Sequence, residues 1–185
     1  MSNETQKPAY LAFQWWKSLT GQGEGSSPSG KDRAARARLR RASPDEAMCE
    51  EATLRLFRKL GYKSPDRLPR VATLAMILAV IREDAGGRFG NQIGREKIDD
   101  DQTAKLKIGR FKRLLDAQTE EEITTAFRRA IAILGGKAGV QDVAKYVLHF
   151  DEGSERRRLV FDYYRADNGE PNLSKTEIQL DASAA

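Results

Sequence analysis

The chain has 185 residues, of which 39% are hydrophobic and 32% are charged, a balance typical of a globular protein and not of a disordered one. Its single cysteine, Cys49, excludes an internal disulfide and a cysteine-rich zinc site. The longest nearly apolar run, residues 71–81, is about half as long as a membrane-spanning helix. Residues 1–8 are polar, so we expect no secretory signal, no membrane partner and a cytoplasmic location.

The excess positive charge lies in one segment. The formal net charge is +5, and residues 31–41 hold six cations against one acid, so the rest of the chain balances to zero. A concentrated patch of cations attracts polyanions, which predicts a nucleic-acid partner. The alternative is a solvated helix face whose cations serve solubility or pair with acids elsewhere.

Helical periodicity predicts that the first half of the chain is built of helices. The predicted elements are, in chain order, a helix over residues 8–19, a Gly/Ser-rich loop over 21–30, a basic helix over 31–42, a helix from Pro44 to Gly61 and a buried helix over 71–81. Ser43 and Glu46 form a capping-box pattern before the fourth element. Trp15 and Trp16 lie on the apolar face of the first helix, which predicts contact with the core or with a partner.

A polar, Gly-rich segment over residues 85–103 precedes a second set of helices. They are predicted over residues 104–116, 120–134, 140–150 and 155–166, and Thr119 and Glu122 form another capping-box pattern. Only residues 177–180 show a weak period of two. We therefore predict an all-α protein of two small helical bundles. The predicted divisions are an N-terminal bundle over 1–100, a C-terminal bundle over 103–167 and a polar tail over 168–185.

The basic helix divides into two faces on a helical wheel. Arg33, Arg36 and Arg40 fall within about 60° of one another, whereas Ala35 and Leu39 fall on the opposite side. This arrangement predicts a helix held by a narrow apolar stripe, with its arginines directed to solvent. Contacts of arginines with phosphates release counterions and give salt-sensitive binding with little sequence preference.

Signals of an enzyme are weak. His149 is the only histidine, and it has no partner residue in the sequence that would mark it as a base or a ligand. The acidic run over residues 99–101 has no second acidic cluster to complete a metal site. We therefore predict no catalysis, no metal and no cofactor.

The order of several motifs resembles the small subunit of the type I-E CRISPR antiviral surveillance complex (Cascade), the CasB family. The motifs are, in chain order, Trp15-Trp16, Leu39-Arg40-Arg41, Ser43-Pro44-Asp45-Glu46, Phe57, Gly61-Tyr62 with Pro65, Ile108-Gly109-Arg110-Phe111, Phe127-Arg128-Arg129-Ala130, Arg156-Arg157-Arg158 and Tyr163-Tyr164. Two departures from the family pattern are a longer first loop and an extended polar tail.

The resemblance implies a non-catalytic scaffold whose partners are crRNA, target DNA and the other Cascade subunits, with copies that associate head to tail, as a dimer within the complex. Similar proteins line the crRNA–target duplex and help to retain the displaced DNA strand. The resemblance singles out Arg41, Arg129 and the cations at 156–158, and it leaves Arg67 and Arg70 as alternatives for one further basic position. A helical protein–protein adaptor, with cations that meet acidic partners and a Trp15/Trp16 interface, remains the second hypothesis.

The candidate nucleic-acid-binding residues come from three sources: the basic helix, the other clusters of cations and the family resemblance. It comprises Arg33, Arg36, Arg38, Arg40, Arg41, Arg67, Arg70, Lys107, Arg110, Arg113, Arg128, Arg129, Arg156, Arg157 and Arg158.

Overall fold

The protein is predominantly all-α, as predicted. A computed structural model describes residues 6–22, 27–96 and 103–165. Its helices are α1 (Gln6–Thr20), α2 (Gly30–Leu39), α3 (Pro44–Cys49), α4 (Glu51–Lys59), α5 (Leu68–Val80), α6 (Phe89–Ile93), α7 (Ile108–Asp116), α8 (Glu120–Ile133), α9 (Val140–Leu148) and α10 (Gly153–Tyr164). A 3₁₀ turn over Pro65–Arg67 leads into α5, and two short strands, β1 (Glu83–Asp84) and β2 (Lys137–Ala138), pair in parallel.

Helix α5 forms the centre of the molecule. Every residue from Arg70 to Ala79 is buried, as the nearly continuous apolar sequence predicts. Helices α2, α3 and α4 pack against α5 from the N-terminal half, and α8 and α9 pack against it from the C-terminal half. Helix α1 also packs on α9, so helices from both sides of the Gly-rich segment share one hydrophobic core. The boundaries of the two bundles stay predictions.

Both capping boxes are present. The Ser43 hydroxyl accepts from the backbone N–H of Glu46, and the Glu46 carboxylate accepts in return from the backbone N–H of Ser43 at 2.8 Å. Thr119 and Glu122 make the same reciprocal pair at the start of α8. These bonds satisfy N–H groups that have no partner within the helix, which explains why both helices begin where the pattern predicts.

The prediction of a single helix from Pro44 to Gly61 is wrong. The backbone at Glu50 is extended, with ψ of 130°, and this residue ends α3 and precedes α4. Its carboxylate accepts a hydrogen bond from Nε of Arg38 at 2.7 Å. The break turns Leu56 and Leu60 of the following segment into the core, and nothing in the helical periodicity marks it.

The Gly-rich segment over 85–103 is not entirely a loop, because it contains α6. Phe89 and Ile93 of this helix are fully buried, and the Phe89 ring stacks on Phe127 with centroids 5.5 Å apart. Gly90 and Gly94 lie against α10, where a Cβ atom at Gly94 would come within 2.1 Å of the Tyr163 carbonyl oxygen. These two glycines therefore allow close packing between helices.

Helix α7 is shorter than the predicted helix over residues 104–116, and not all of its apolar residues are buried. Phe111 and Leu114 are buried, whereas Ile108 is 37% exposed. The helix begins at Ile108 and not at residue 104, and Leu106 is buried in the preceding segment. The two-residue strands were also missed, since such short segments carry no periodic signal.

Some predictions concern residues outside the described ranges. They are the acidic run over 99–101, the weak strand pattern over 177–180 and the polar tail over 168–185. None of the described helices combines the length and the apolar character that a bilayer crossing requires.

Candidate nucleic-acid interface

Helix α2 is anchored by the apolar stripe that the helical wheel predicts. Ala35 and Leu39 are buried, and Ser29 caps the helix by accepting a hydrogen bond from the backbone N–H of Asp32 at 3.0 Å. Arg33 and Arg40 are exposed. Arg36 differs from the prediction, because its side chain turns toward the protein and is only partly exposed.

Arg36 binds the carboxyl end of the central helix α5. Its Nε atom donates to the carbonyl oxygen of Ala79 at 3.0 Å, and Nη2 donates to that of Ile81 at 2.8 Å. The indole N–H of Trp16 also donates to the Ile81 carbonyl, at 3.2 Å. The last carbonyls of a helix lack partners within it and carry partial negative charge, so a guanidinium group there stabilises the helix end.

Arg128 binds the carboxyl end of α2 in the same way. Its Nη2 atom donates to the Leu39 carbonyl oxygen at 2.8 Å and to that of Met76 at 3.4 Å. The contact joins α8 to the end of the basic helix. Because the two residues lie far apart in the sequence, no local pattern predicts it. Arg36 and Arg128 are both among the candidate nucleic-acid-binding residues of the sequence, but the structure gives each of them hydrogen bonds within the protein.

Arg40 and Arg82 complete a cluster that we call the arginine pocket, defined by Arg36, Arg40, Arg82 and Arg128. Arg40, Arg82 and Arg128 line a cavity of about 290 Å³ together with Gly135 and Gly136. Burial lowers the pKa of Arg36, and the nearby charges of Arg40 and Arg82 lower it further. Burial and Arg40 likewise lower the pKa of Arg128.

The arginine pocket is a cluster of cations without acidic partners among the described residues. Within residues 6–22, 27–96 and 103–165, no carboxylate forms an ion pair with any of the four. Two of the guanidinium groups rest on helix carboxyl ends, whose partial charges offset part of the repulsion. Arg40 and Arg82 remain exposed, so an anion that enters the cavity relieves the remaining repulsion.

A second set of cations lines a neighbouring groove between α7 and α8, which we call the α7–α8 groove. It has a volume of about 820 Å³, and its charged lining residues are three arginines and three acids: Arg110, Arg113, Arg129, Asp116, Glu121 and Glu122. Ala132 borders both this groove and the arginine pocket. Consecutive residues of a helix point about 100° apart. Arg128 therefore lines the arginine pocket, whereas its neighbour Arg129 lines the α7–α8 groove. The structure thus joins cations from α2, α7 and α8 into one surface.

Other predicted residues have their guanidinium groups engaged within the protein. Arg70 is buried and forms ion pairs with Asp151 at 2.7 Å and Glu120 at 3.2 Å. Arg38 pairs with Glu50 at 2.7 Å.

The two engaged arginines of α10 have different partners. Arg156 donates from Nε to the Phe150 carbonyl oxygen at 2.9 Å and stacks on the Phe150 ring. Arg158 pairs with Asp142 and, at 2.9 Å, with Glu155. Burial opposes the charged form of Arg158, but the combined effects of Asp142, Tyr146 and Glu155 outweigh it and raise the pKa of the guanidinium.

The remaining predicted residues are exposed and lie at different places on the molecule. Arg41 adjoins Arg40 beyond the end of α2, and Arg33 lies near the start of α2. Arg67 precedes α5, at the opposite end of that helix from the arginine pocket. Lys107 precedes α7, and Arg157 belongs to the first half of α10. The structure does not gather these five side chains into one site.

Arg82 was missed in the sequence analysis. It directly follows the apolar helix, but Glu83 and Asp84 come next, so no run of cations marks it. Its position results from the pairing of β1 with β2, since its backbone N–H donates to the Gly136 carbonyl oxygen at 2.8 Å. The sequence feature that points to Arg82 is its position as the first charged residue after the buried helix.

The Trp15/Trp16 interface of the adaptor hypothesis is not available as a surface. Both side chains are buried, with 4% and 1% of their area exposed. The indole N–H of Trp15 donates to the Ala52 carbonyl oxygen at 3.0 Å. The two tryptophans therefore belong to the core.

His149 and the acidic residues offer no assembled metal site among the residues that the structure describes. Nδ1 of His149 lies 2.6 Å from Oε1 of Glu152, three residues further on.

The fold and the surface define a small all-helical protein whose cations, drawn from both halves, converge on two adjoining cavities. The chain belongs to the family of CRISPR-associated protein Cse2, whose family model matches residues 35–164, well over half of the chain. Members of this family are the small subunit of the type I-E CRISPR complex Cascade, a structural subunit, which confirms the resemblance drawn from the order of the motifs. No curated protein and no solved structure gives a significant match.

Proposed function

We propose that the chain is a non-catalytic nucleic-acid-binding scaffold of type I-E Cascade, which supports the crRNA–target duplex and the displaced DNA strand. In this proposal the arginine pocket and the arginines of the α7–α8 groove contact the phosphate backbone. Guanidinium groups suit this task because their flat, forked donors match phosphate oxygens. Contacts to phosphates carry no sequence information, and base pairing with the guide supplies specificity in such complexes.

The observation that carries the proposal is the arginine pocket. Four guanidinium groups meet there without a described carboxylate partner, although the chain has 27 acidic residues. Elsewhere cations such as Lys31 and Arg55 pair with acids, at 3.1 and 3.2 Å. A cluster of like charges costs folding free energy unless an anion compensates it, so this surface is best explained by a polyanionic ligand.

The proposal divides the arginines of the pocket by task. Arg36 and Arg128 hold α2, α5 and α8 together through helix carbonyls, and they place Arg40 and Arg82 at the mouth of the cavity. The exposed pair then contacts phosphates, and Arg110, Arg113 and Arg129 extend the same surface along the α7–α8 groove. The partners that the family resemblance implies, including a second copy of the chain, stay predictions.

The proposal is tested by target binding of Cascade reconstituted with variants of this subunit. Arg40→Gln combined with Arg82→Gln removes two exposed cations, and we expect weaker binding of target DNA with unchanged assembly. The matched control, Lys31→Gln combined with Arg55→Gln, removes the same charge from ion-paired residues. Equal target affinity of the two variants would contradict the proposal.

A further inference from the structure

We propose that Phe161 of α10 is a stacking site for an unpaired base of a single-stranded nucleic acid, with Arg157 beside it for a neighbouring phosphate. The inference rests on the function proposed above for the class of ligand, and it adds a contact region outside the arginine pocket. All candidate residues considered so far are cations, so this site adds a contact with bases to the contacts with phosphates.

Phe161 differs from the other phenylalanines of the chain in its exposure. It is 45% exposed, whereas the other six are buried or packed against the core. A ring area that stays in water contributes nothing to the fold through burial. Because single exposed apolar side chains are common on protein surfaces, the neighbours of Phe161 decide what the ring can do.

Arginines flank Phe161 along the helix. Arg157 lies one turn before it, and Arg165 lies one turn after it at the end of α10, each at about 6 Å along the helix axis. Arg157 is exposed and Arg165 is partly exposed. Neither forms an ion pair with any acid in the part of the chain that the structure describes. Both charges are therefore available to an anion beside the ring.

The two acids of α10 lie away from this face. Glu155 and Asp162 are 8% and 0% exposed, and they point at least about 100° away from Phe161 around the helix. Arg158 pairs with both, at 2.9 and 3.8 Å. The carboxylates of α10 are thus compensated inside the protein, and the exposed face of the helix is cationic.

A second aromatic ring continues the same surface. Tyr164 is partly exposed and lies three residues after Phe161, so the two share a helix face. The Cζ atom of Arg95 lies 4.6 Å from the centroid of the Tyr164 ring. Glu96, the next residue, is an exposed acid. Aromatic rings and guanidinium groups therefore alternate on this surface, which is the combination that single-strand binding uses.

An exposed ring between arginines suits a single strand and not a duplex. Unpaired bases offer a face to an aromatic side chain, whereas the bases of a duplex stack on one another. The spacing of about 6 Å per helical turn is comparable to the distance between successive phosphates of an extended strand. Of the two ligands in the proposed function, the displaced DNA strand has unpaired bases, so Phe161 selects that strand.

The affinity of the full chain for a fluorescently labelled oligothymidine tests the stacking. Phe161→Ala is expected to weaken binding about tenfold, and Phe161→Leu, which keeps an apolar side chain without an aromatic face, also binds more weakly than the wild type. The control is Tyr10→Ala, which removes a 49% exposed ring of α1. That ring borders a cavity lined by Asp84 and Asp142, so we expect unchanged affinity. Unchanged affinity of Phe161→Ala would overturn the proposal.

Salt and strandedness separate stacking from charge. Stacking neutralises no phosphate, so Phe161→Ala should keep the wild-type slope of log K against log salt, whereas Arg157→Gln should lower it by about 0.7. A duplex of the same length should bind Phe161→Ala and the wild type equally well. An equal loss of affinity for the duplex and the single strand would overturn the contact with a base.

Phe161→Trp gives a direct signal of stacking. Its indole emission should be quenched by added oligothymidine, whereas that of Tyr10→Trp should not change. The buried Trp15 and Trp16 contribute a constant background in both variants. Polyglutamate carries charge without bases and should not quench. Equal quenching by polyglutamate would indicate an acidic protein as the partner of this face and would overturn the proposal.

These outcomes separate the failure of this inference from the failure of the proposed function. Full affinity of Phe161→Ala, together with weaker target binding by Cascade that carries Arg40→Gln and Arg82→Gln, would overturn the inference alone. Loss of affinity in Phe161→Ala, with no effect of the Arg40/Arg82 pair on target binding, would overturn the role of the arginine pocket and support the site at Phe161. A wild-type chain that does not bind oligothymidine at low salt would overturn the inference.

Discussion

Arg36 and Arg40 lie one helical turn apart on α2, yet their environments differ. Arg36 donates two hydrogen bonds to the end of α5, whereas Arg40 is exposed at the cavity. The sequence predicts the buried Ala35 and Leu39 correctly from their spacing. It cannot separate the two arginines, because a long side chain can lie along the protein surface in several directions, and its partner is set by tertiary packing.

Arg36→Gln is expected to lower the free energy of unfolding by about 1–3 kcal/mol, since hydrogen bonds from a charged donor are lost and helix carbonyls remain unsatisfied. Arg40→Gln is expected to change it by less than about 0.5 kcal/mol, as is usual for exposed positions. Urea titration of both variants measures the difference. Equal losses of stability would contradict the distinction between Arg36, which stabilises the fold, and Arg40, which is free to bind a phosphate.

Glu122 gives the protein a pH-dependent contribution to stability. The backbone N–H groups of Gln118 and Thr119 donate to its carboxylate, and these bonds lower the pKa of Glu122 below the usual 4.5. Because the pKa is lower in the folded state, the stabilisation is present above the unfolded value and is lost as the pH falls through the folded value.

Glu122→Gln is therefore expected to destabilise the protein at neutral pH. There the wild-type carboxylate places a negative charge at the helix N-terminus, whereas the glutamine amide is neutral. The difference from the wild type should shrink as the pH falls through the lowered pKa of Glu122 and the wild-type carboxyl becomes protonated. Urea midpoints at neutral and acidic pH measure this difference. A gap that persists unchanged in acid would argue against a charge-dependent cap.

At the scale of elements, the regular helices follow from local sequence and the irregular ones do not. The caps at Ser43 and Thr119 are readable because both partners lie within one turn. Helix α6 is hidden because its glycines resemble those of a loop. Gly94 is required by the close approach of α10, which is a contact between segments far apart in the chain.

Gly94→Ala tests this account of α6. Its Cβ atom would come within 2.1 Å of the Tyr163 carbonyl oxygen, which is backbone and cannot simply turn aside. We expect a loss of about 1–3 kcal/mol in the free energy of unfolding, as for other overpacked sites. Thermal or urea unfolding measures it.

Gly109→Ala supplies the matched control in α7. No atom lies within 4 Å of a Cβ placed there, and the site is exposed, so alanine is expected to stabilise the helix by about 0.5–1 kcal/mol. Equal effects of the two substitutions would contradict the packing role of Gly94.

At the scale of the whole molecule, folding assembles one cationic surface from distant parts of the sequence. The charge count identifies α2 and the order of the motifs identifies the family, and both are present in the sequence. The arginine pocket is not, because Arg40, Arg82 and Arg128 become neighbours only when α2 and α8 pack on α5. Local patterns contain no information about such convergence.

The salt dependence of single-stranded DNA binding tests the central claim most directly. Each phosphate neutralised on a single strand contributes about 0.7 to the slope of log K against log salt. The full chain with Arg40→Gln and Arg82→Gln should therefore show a slope lower by about 1.4 than the wild type. Lys31→Gln combined with Arg55→Gln should leave the slope unchanged. A slope in the Arg40/Arg82 variant equal to that of the wild type would contradict the account.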